Sequence, residues 1–303
     1  MVRASLPDVR LGVVVLPELP WSQAREQWQQ LDTWGYHSAW TYDHLAWRSL
    51  ADGPWYATVP TLAAAAVATT TIRLGTFVAT PNFRHPVPFA KELMSLDDLS
   101  GGRFQLGVGA GGGGFDAAVL GEPELTPRQR VDRFAEFVEL LDRLLTSPLT
   151  SYDGEWFTAR DARMHPGCVQ QPRLPFVVAA NGPRAMRVVA RHGQAWVTTG
   201  VTPPEEGEQH WWAALPDAVG RLDAALSAEG RDPASVQRYL SVDASGAFGP
   251  SSVEHLRDVL GRAETLRFDE VVVHWPRPNG VYAGDVGVLE RAAAEVLPDL
   301  DPR

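Results

Sequence analysis

IRLGTFVATPNFRHPVPFAKELMSLDDLSGGRFQLGVGAGGGGF, residues 72–115, is the stretch on which the fold turns. Residues 72–80 are rich in β-branched side chains, which predicts a strand. A proline-punctuated turn leads to 86–99, where apolar side chains recur at helical spacing behind Pro86. Ser100-Gly101-Gly102 makes a tight turn, and 103–109 reads as a second apolar strand that runs into five glycines and an alanine. Strand, helix and strand in this order predict a parallel crossover, and in such units ligands bind beyond the carboxyl ends of the strands. Glycines at that end predict close approach of a large ligand, phosphorylated or planar, to bare backbone.

Outward from this unit the alternation repeats. Strand signals fall at 11–16, 38–42, 72–79, 104–109, 176–180, 195–199, 239–244 and 271–275. Helical patterns fall at 21–34, 60–69, 86–99, 127–145, 183–192, 216–229, 252–266 and 286–296. Many of the helices open with proline, and Gly35, Gly193 and Gly230 stand where helices end. Eight strands alternating with eight helices predict an α/β fold of the (β/α)8 TIM-barrel type, one domain over residues 1–303 with insertion loops at the carboxyl-terminal face. Two stretches break the rhythm. Residues 147–175 read as a hairpin turning at Asp153-Gly154, then a proline-rich connection. Residues 200–215, GVTPPEEGEQHWWAAL, read as a polar loop ending in Trp211 and Trp212, the kind of insertion that lids a barrel.

Composition excludes several classes. Lys+Arg of 27 against Asp+Glu of 37 gives a net charge of −10, which argues against nucleic acid or an anionic membrane as partner. The single cysteine, Cys168, excludes an internal disulfide and fits a reducing compartment. The first ten residues carry no apolar export signal, and the longest apolar run, 62–68, is too short to span a bilayer, so a cytoplasmic location is expected. The histidines are scattered, with no His-x-His after the first strand and no HExxH, so no metal site is expected.

Functional groups of a barrel sit at the carboxyl ends of its strands. The second strand ends in Asp43-His44, with Trp47 beyond it. That pair reads either as an oriented acid/base or as a histidine capping the next turn. The third ends in Val78, Ala79, Thr80 and Asn82, where a bulge can present backbone and hydroxyl to a ring, or where an ordinary loop begins. Arg84 and His85 follow, as phosphate ligands or as packing. On the fourth, Gly107, Gly109 and Gly112 satisfy G-x-G-x-x-G. A dinucleotide site needs a helix starting at the glycines, however, and the next convincing helix begins near Pro127. Ala180, Asn181 and Gly182 precede a helix after the fifth strand, and Thr199-Gly200 close the sixth; both suit a phosphate or a plain helix cap. Trp275 ends the eighth strand as pocket wall or as core. With Trp47, Trp55, Tyr56, Trp211 and Trp212 it suggests an apolar or planar small-molecule substrate.

Together these residues resemble the luciferase-like monooxygenase superfamily, bacterial barrels that use FMN or the deazaflavin coenzyme F420. The resemblance spans nearly the whole chain. It is most specific in LGTFVATPNFRHPVPFAKELMSLDDLSGGRFQLGVGAG (74–111), Asp43-His44, PFVVAANGPRAMRVVARHGQAWVTTG (175–200) and GEWF (154–157). It implies a flavin-type ring over the barrel mouth, against a bulge at Val78 and Ala79 with an unusual peptide bond. It implies phosphate contacts from Gly109, Ala110, Gly111 and Gly112, from Ala180 to Gly182, and from Thr199-Gly200. It also implies that His44 is the acid/base beside the reactive ring carbon, that the chain forms a homodimer, and, from the Asp43-His44 ending, that F420 is preferred over FMN. Two departures stand out. Deazaflavin sugar-phosphate dehydrogenases set an acid just after the glycine-rich strand, where this chain has only glycine up to Phe115-Asp116. They also set a tryptophan four residues after the histidine, where this chain has Trp47 after three. The expected function is therefore F420-dependent hydride transfer to or from a small organic substrate. The alternatives are an FMN-dependent monooxygenase and a cofactor-free ligand-binding barrel.

Overall fold

Strand residues here are buried on both faces, as a parallel sheet covered by helices requires. In the computed structural model, which describes residues 9–112 and 115–300, these strands close into a barrel. The amino-terminal stretch read above falls largely outside the described residues, as do Gly113 and Gly114 of the glycine run. Around the barrel the strands are β1 (Arg10–Val14), β2 (Ser38–Thr41), β3 (Arg73–Thr76), β4 (Phe104–Val108), β7 (Phe176–Ala179), β8 (Ala195–Thr198), β9 (Gln237–Ser241) and β10 (Glu270–His274). Each neighbouring pair is parallel, and β10 closes on β1 with Arg10 opposite Glu270 and Val14 opposite His274. The remaining two, β5 (Leu149–Asp153) and β6 (Thr158–Arg163), form the expected antiparallel hairpin outside the barrel. Its turn is pinned by Glu136, whose carboxylate accepts the N–H groups of Glu155, Trp156 and Phe157.

The helices are α1 (Trp21–Thr33), α2 (Thr58–Ala68), α3 (Pro86–Leu99), α4 (Phe115–Val119), α5 (Pro127–Thr146), α6 (Pro183–His192), α7 (Glu208–Ala228), α8 (Val253–Thr265) and α9 (Gly287–Glu295). Local chemistry sets their starts. Pro86 opens α3 behind His85, whose Nδ1 accepts from Val87 N–H. Thr126 and Gln129 make a reciprocal capping box before Pro127 on α5. Two apolar layers result. One lies between barrel and helices, and the other fills the barrel with Val14, Trp40, Phe77, Val177, Val197, Tyr239 and Val272.

Three expectations are corrected. The third strand ends at Thr76, not Ala79, because the chain bulges at Val78 before Ala79 rejoins β4 opposite Val108. The short α4 begins directly after the glycine run, where no helix was expected. The helix expected from Pro216 begins instead at Glu208, with Pro216 inside it. An interior proline costs a helix about 3 kcal/mol. Burial of Trp211, Trp212 and Leu215 in the preceding turns offsets this, at roughly 1.5–3 kcal/mol for each large apolar side chain. The supposed lid tryptophans therefore belong to the layer between barrel and helices.

Candidate active site

Successive residues leaving a strand point to opposite sides, and β2 shows the consequence at its carboxyl end. Asp43 turns into a buried ion pair: Arg84 Nε donates to its Oδ2 at 2.5 Å and Nη2 to its Oδ1 at 2.7 Å. Arg84 also reaches Glu92 at 2.9 Å and lies over the Phe89 ring. Asp43 therefore does not orient His44, which corrects the reading of an Asp43-His44 acid/base pair, and Arg84 takes the second of its two readings, packing the turn. His85 caps α3 and meets Phe157 edge-on.

His44 has a different partner. Its Nδ1 lies 2.7 Å from Oδ2 of Asp116 on α4, whose Oδ1 accepts Leu45 N–H at 2.8 Å. Asp116 is 2% exposed and acts as an acceptor on both oxygens, so Nδ1 carries the imidazole hydrogen and Nε2 is left as the acceptor nitrogen. Asp116 is the partner of His44 that reading the sequence missed. The signal was present, an acid following the glycine run, but only the fold carries it back to β2. Trp55 Nε1 fixes the same segment by donating to the His44 carbonyl at 2.9 Å.

The bulge forms the next side of the mouth. The Phe77–Val78 peptide is cis. Phe77 N–H donates to Thr41 O at 2.7 Å, Ala79 N–H to Gly107 O at 2.8 Å, and Gly109 N–H to Ala79 O at 2.9 Å, which leaves Val78 half-buried among the mouth residues. Gly107 is required because a Cβ there would collide with the Thr76 carbonyl, and one on Gly109 would press on Val78. These two glycines admit a neighbouring strand, whereas Gly112 faces open space. Thr80 is buried and accepts Asn82 N–H at 3.3 Å. Asn82 in turn clasps the loop: its Oδ1 accepts from Arg133 Nη2 at 2.6 Å, and Gly111, at φ +77°, lies against its amide. Ala110 packs half-buried beside them, and Arg133 Nε is buried with no acceptor among the described residues.

On the far side, Ala180 is buried and its carbonyl accepts from Trp196 Nε1 at 2.6 Å. Asn181 Oδ1 accepts from Thr198 Oγ1 at 2.6 Å, and its Nδ2 donates to Gly200 O at 3.0 Å, tying the ends of β7 and β8 together. Gly182 starts α6 without a side-chain cap and with open space at its Cα. Trp211 Nε1 donates to Thr199 O at 2.9 Å and its ring packs against Gly200, so α7 supports this loop from below.

The mouth itself is aromatic. Tyr42 meets Trp47 at a ring separation of 5.1 Å and lies beside Trp55, and Trp47 stacks on Tyr282 at 6.2 Å and 24°. Trp275 is not among them: it stacks on Trp34 at 6.1 Å, packed against the outer layer. Glu18, at the end of β1, is paired with Arg277 at 2.8 and 3.0 Å. Among the described residues no group of three or more His, Cys, Asp or Glu side chains gathers as metal ligands.

The family description that matches this chain, over residues 9–260, is luciferase-like monooxygenase. A relative named F420-dependent glucose-6-phosphate dehydrogenase, from Beutenbergia cavernae, is 29% identical over 89% of this chain and 90% of its own length. The 4-hydroxyprotoasukamycin monooxygenase of Streptomyces nodosus subsp. asukaensis is 36% identical over 58% of this chain and 46% of its own. Among solved structures, an F420-dependent secondary alcohol dehydrogenase in complex with an F420-acetone adduct superposes with a TM-score of 0.80 at 17% identity, covering 97% of this chain and 99% of that one, a likeness of fold.

Proposed function

The chain belongs to the luciferase-like monooxygenase family, and from that premise we propose that it transfers hydride between coenzyme F420 and a small organic substrate at the carboxyl-terminal mouth of its barrel. Relatives named as F420-dependent enzymes support this cofactor. The observation that carries the reading is the His44–Asp116 pair, a histidine held in one tautomer beside an aromatic mouth. The mouth fits a flavin-type group: Val78 offers an apolar wall, while Gly112 and Gly182 leave space that a Cβ would fill. Arg133 Nε, without an acceptor among the described residues, and the uncapped start of α6 supply positive potential for a phosphorylated tail.

In this reading Val78 and Ala79 back the ring. Ala110 to Gly112, Ala180 to Gly182 and Thr199-Gly200 line the tail, with Asn82 and Arg133 holding the first of these loops. Trp47 and Trp55 wall the substrate pocket. A deazaflavin bound there supplies two-electron hydride chemistry. His44 holds or releases a proton at Nε2 while Asp116 fixes the ring and stabilises its charged form. The aromatic rim excludes water. We further propose a cytoplasmic homodimer; no helix among the described residues is long and apolar enough to cross a membrane. FMN-dependent oxygenation is the second reading, favoured by the monooxygenase relative.

Titration of the purified protein with F420 and with FMN, followed by absorbance, separates the readings. Tight F420 binding is expected. Tight FMN binding without F420 binding would overturn the F420 reading, and binding of neither would favour a cofactor-free barrel. His44→Ala is expected to leave F420 affinity nearly unchanged and to slow single-turnover hydride transfer by roughly two to four orders of magnitude. An unchanged rate would remove His44 from the chemistry.

A further inference from the structure

Behind the mouth, four side chains stand in a hydrogen-bonded line that the proposed reaction leaves unused. Asp243, just after β9, accepts the backbone N–H of His274 at 2.6 Å and lies 2.7 Å from His274 Nδ1, both through Oδ2. His274 Nε2 is 2.8 Å from Tyr42 Oη, which is 3.0 Å from Tyr282 Oη. His274, Tyr42 and the Asp243 side chain are buried, while Tyr282 is half-buried and packs on the mouth beside Trp47.

Donor counting gives the line a direction. Asp243 Oδ1 accepts Gly249 N–H at 2.7 Å, so both carboxylate oxygens are acceptors and Nδ1 carries the imidazole hydrogen. Nε2 of the neutral ring then accepts from Tyr42, and Tyr42 accepts from Tyr282. Both phenolic hydrogens point inward, and Tyr282 turns only lone pairs toward the mouth. A proton added at His274 Nε2 reverses the line, so that Tyr282 donates outward.

The surroundings hold this terminus in place. Tyr282 stacks on His274 at 3.6 Å and 6°. Its φ is +60°, a conformation that costs a non-glycine residue on the order of 1–3 kcal/mol and persists where neighbours enforce it. Arg277 does so: its N–H donates to Tyr282 O at 2.8 Å, and its guanidinium donates to the carbonyls of Asn279 and Val281 while paired with Glu18. Burial pushes both phenols above the ordinary tyrosine range, so both keep their hydrogens.

We propose that Asp243, His274, Tyr42 and Tyr282 form a proton relay that opens on the mouth at Tyr282 Oη and exchanges a proton with the oxygen of the bound substrate, a role that rests on the hydride-transfer reading above. In the oxidative direction the substrate O–H bond breaks toward Tyr282 Oη. The hydrogen of Tyr282 passes to Tyr42 and that of Tyr42 to His274 Nε2, where Asp243 stabilises the imidazolium. A deazaflavin held at the mouth would supply the two-electron acceptor for the carbinol hydride as C=O forms, so that one two-electron oxidation balances one reduction. Two proton movements accompany that exchange, one off the substrate oxygen and one onto the reduced acceptor. The relay serves the first, and His44 is left for the second. Tyr282 touches substrate; Tyr42, His274 and Asp243 are positioning residues.

Several other charged or titratable groups face the line. Arg48 lies over Trp47, His44 meets Tyr42 edge-on with Asp116 behind it, and the Glu18–Arg277 pair lies beneath Tyr282. Variants separate these contributions. The experiment titrates cyclohexanol and cyclohexanone into the purified protein, with and without F420, at pH 5 and pH 8, on either side of the range where imidazoles titrate. Tryptophan emission reports binding. Cyclohexanone, which only accepts, is expected to bind about 5- to 10-fold tighter at pH 5 than at pH 8, the worth of one gained or lost hydrogen bond, while cyclohexanol, which donates to one state and accepts from the other, binds about equally at both. The difference should vanish in Tyr282→Phe and His274→Gln and persist in His44→Ala. Tyr282→Phe removes a single oxygen at the mouth and decides the matter even if His274→Gln fails to fold. Cyclohexanone binding that ignores pH, pH dependence that survives Tyr282→Phe, or failure of both probes to bind would overturn the relay. Absorbance titration of the same samples with F420 reports the cofactor separately, so loss of the relay and loss of F420 binding are distinct results.

Discussion

Asp43 and His44 are neighbours in sequence, yet their side chains serve different ends of the molecule's chemistry. Alternation along an extended chain sends one into the Arg84 ion pair and the other to the mouth. Two isosteric variants separate the roles. Asp116→Asn should leave the melting temperature nearly unchanged but favour the wrong His44 tautomer, slowing hydride transfer by roughly two orders of magnitude or more. Asp43→Asn should do the opposite. It leaves the buried Arg84 charge without its carboxylate, and loss of such a partner costs on the order of 3–5 kcal/mol of stability. Denaturant unfolding and single-turnover kinetics on both variants check this; equal effects on both would contradict the assignment. The histidine was legible in the sequence, but its partner was not, because Asp116 is 72 positions away and comes near only through the barrel.

At the scale of elements, β4 shows two kinds of glycine in one run. Gly107 lies against the backbone of β3, which cannot give way, so Gly107→Ala is expected to cost about 3 kcal/mol or more, as overpacking does. Gly112 faces open space, and Gly112→Ala should change stability by only about 0.5 kcal/mol while weakening cofactor binding. Thermal melts with and without F420 distinguish the two; a stable Gly107→Ala protein would refute the close-contact reading. Helices with proline starts or capping residues, α3, α5 and α6, were legible from local chemistry alone. The start of α7 was not, since propensity places a helix start at Pro216 and burial of Trp211 and Trp212 overrides it.

On the scale of the whole molecule, the barrel end opposite the mouth carries its own titration. Glu270 is fully buried at the start of β10, hydrogen-bonded to Ser38, and burial raises its pKa. His37 approaches it at 3.6 Å, but burial, with the Arg10 and Arg73 charges, pushes His37 down to about 3, so the imidazole is uncharged and this contact is not an ion pair. A carboxyl with a raised folded-state pKa binds its proton more tightly when folded. Its stabilising contribution is complete below the unfolded value, near 4.3, and is lost as pH rises through the folded value. Glu270→Gln should therefore flatten the fall of stability as pH rises above the ordinary glutamate range, and gain most over the parent at the highest pH tested. Unfolding midpoints that fall equally steeply in parent and variant would show that Glu270 is not the group responsible.

The sequence by itself determined the alternation of strands and helices, the barrel class, the family and the position of His44, because these depend on local periodicity, turn chemistry and motifs within single segments. Only the tertiary structure decided which acid serves His44, which glycines face a strand and which face open space, and where the tryptophans go. Barrel closure also brought Tyr42, just after β2, against His274 of β10, 232 positions apart. Spacing along the chain fixes what a segment can form, whereas contacts between distant segments are set by how the layers pack, and no local pattern encodes that geometry.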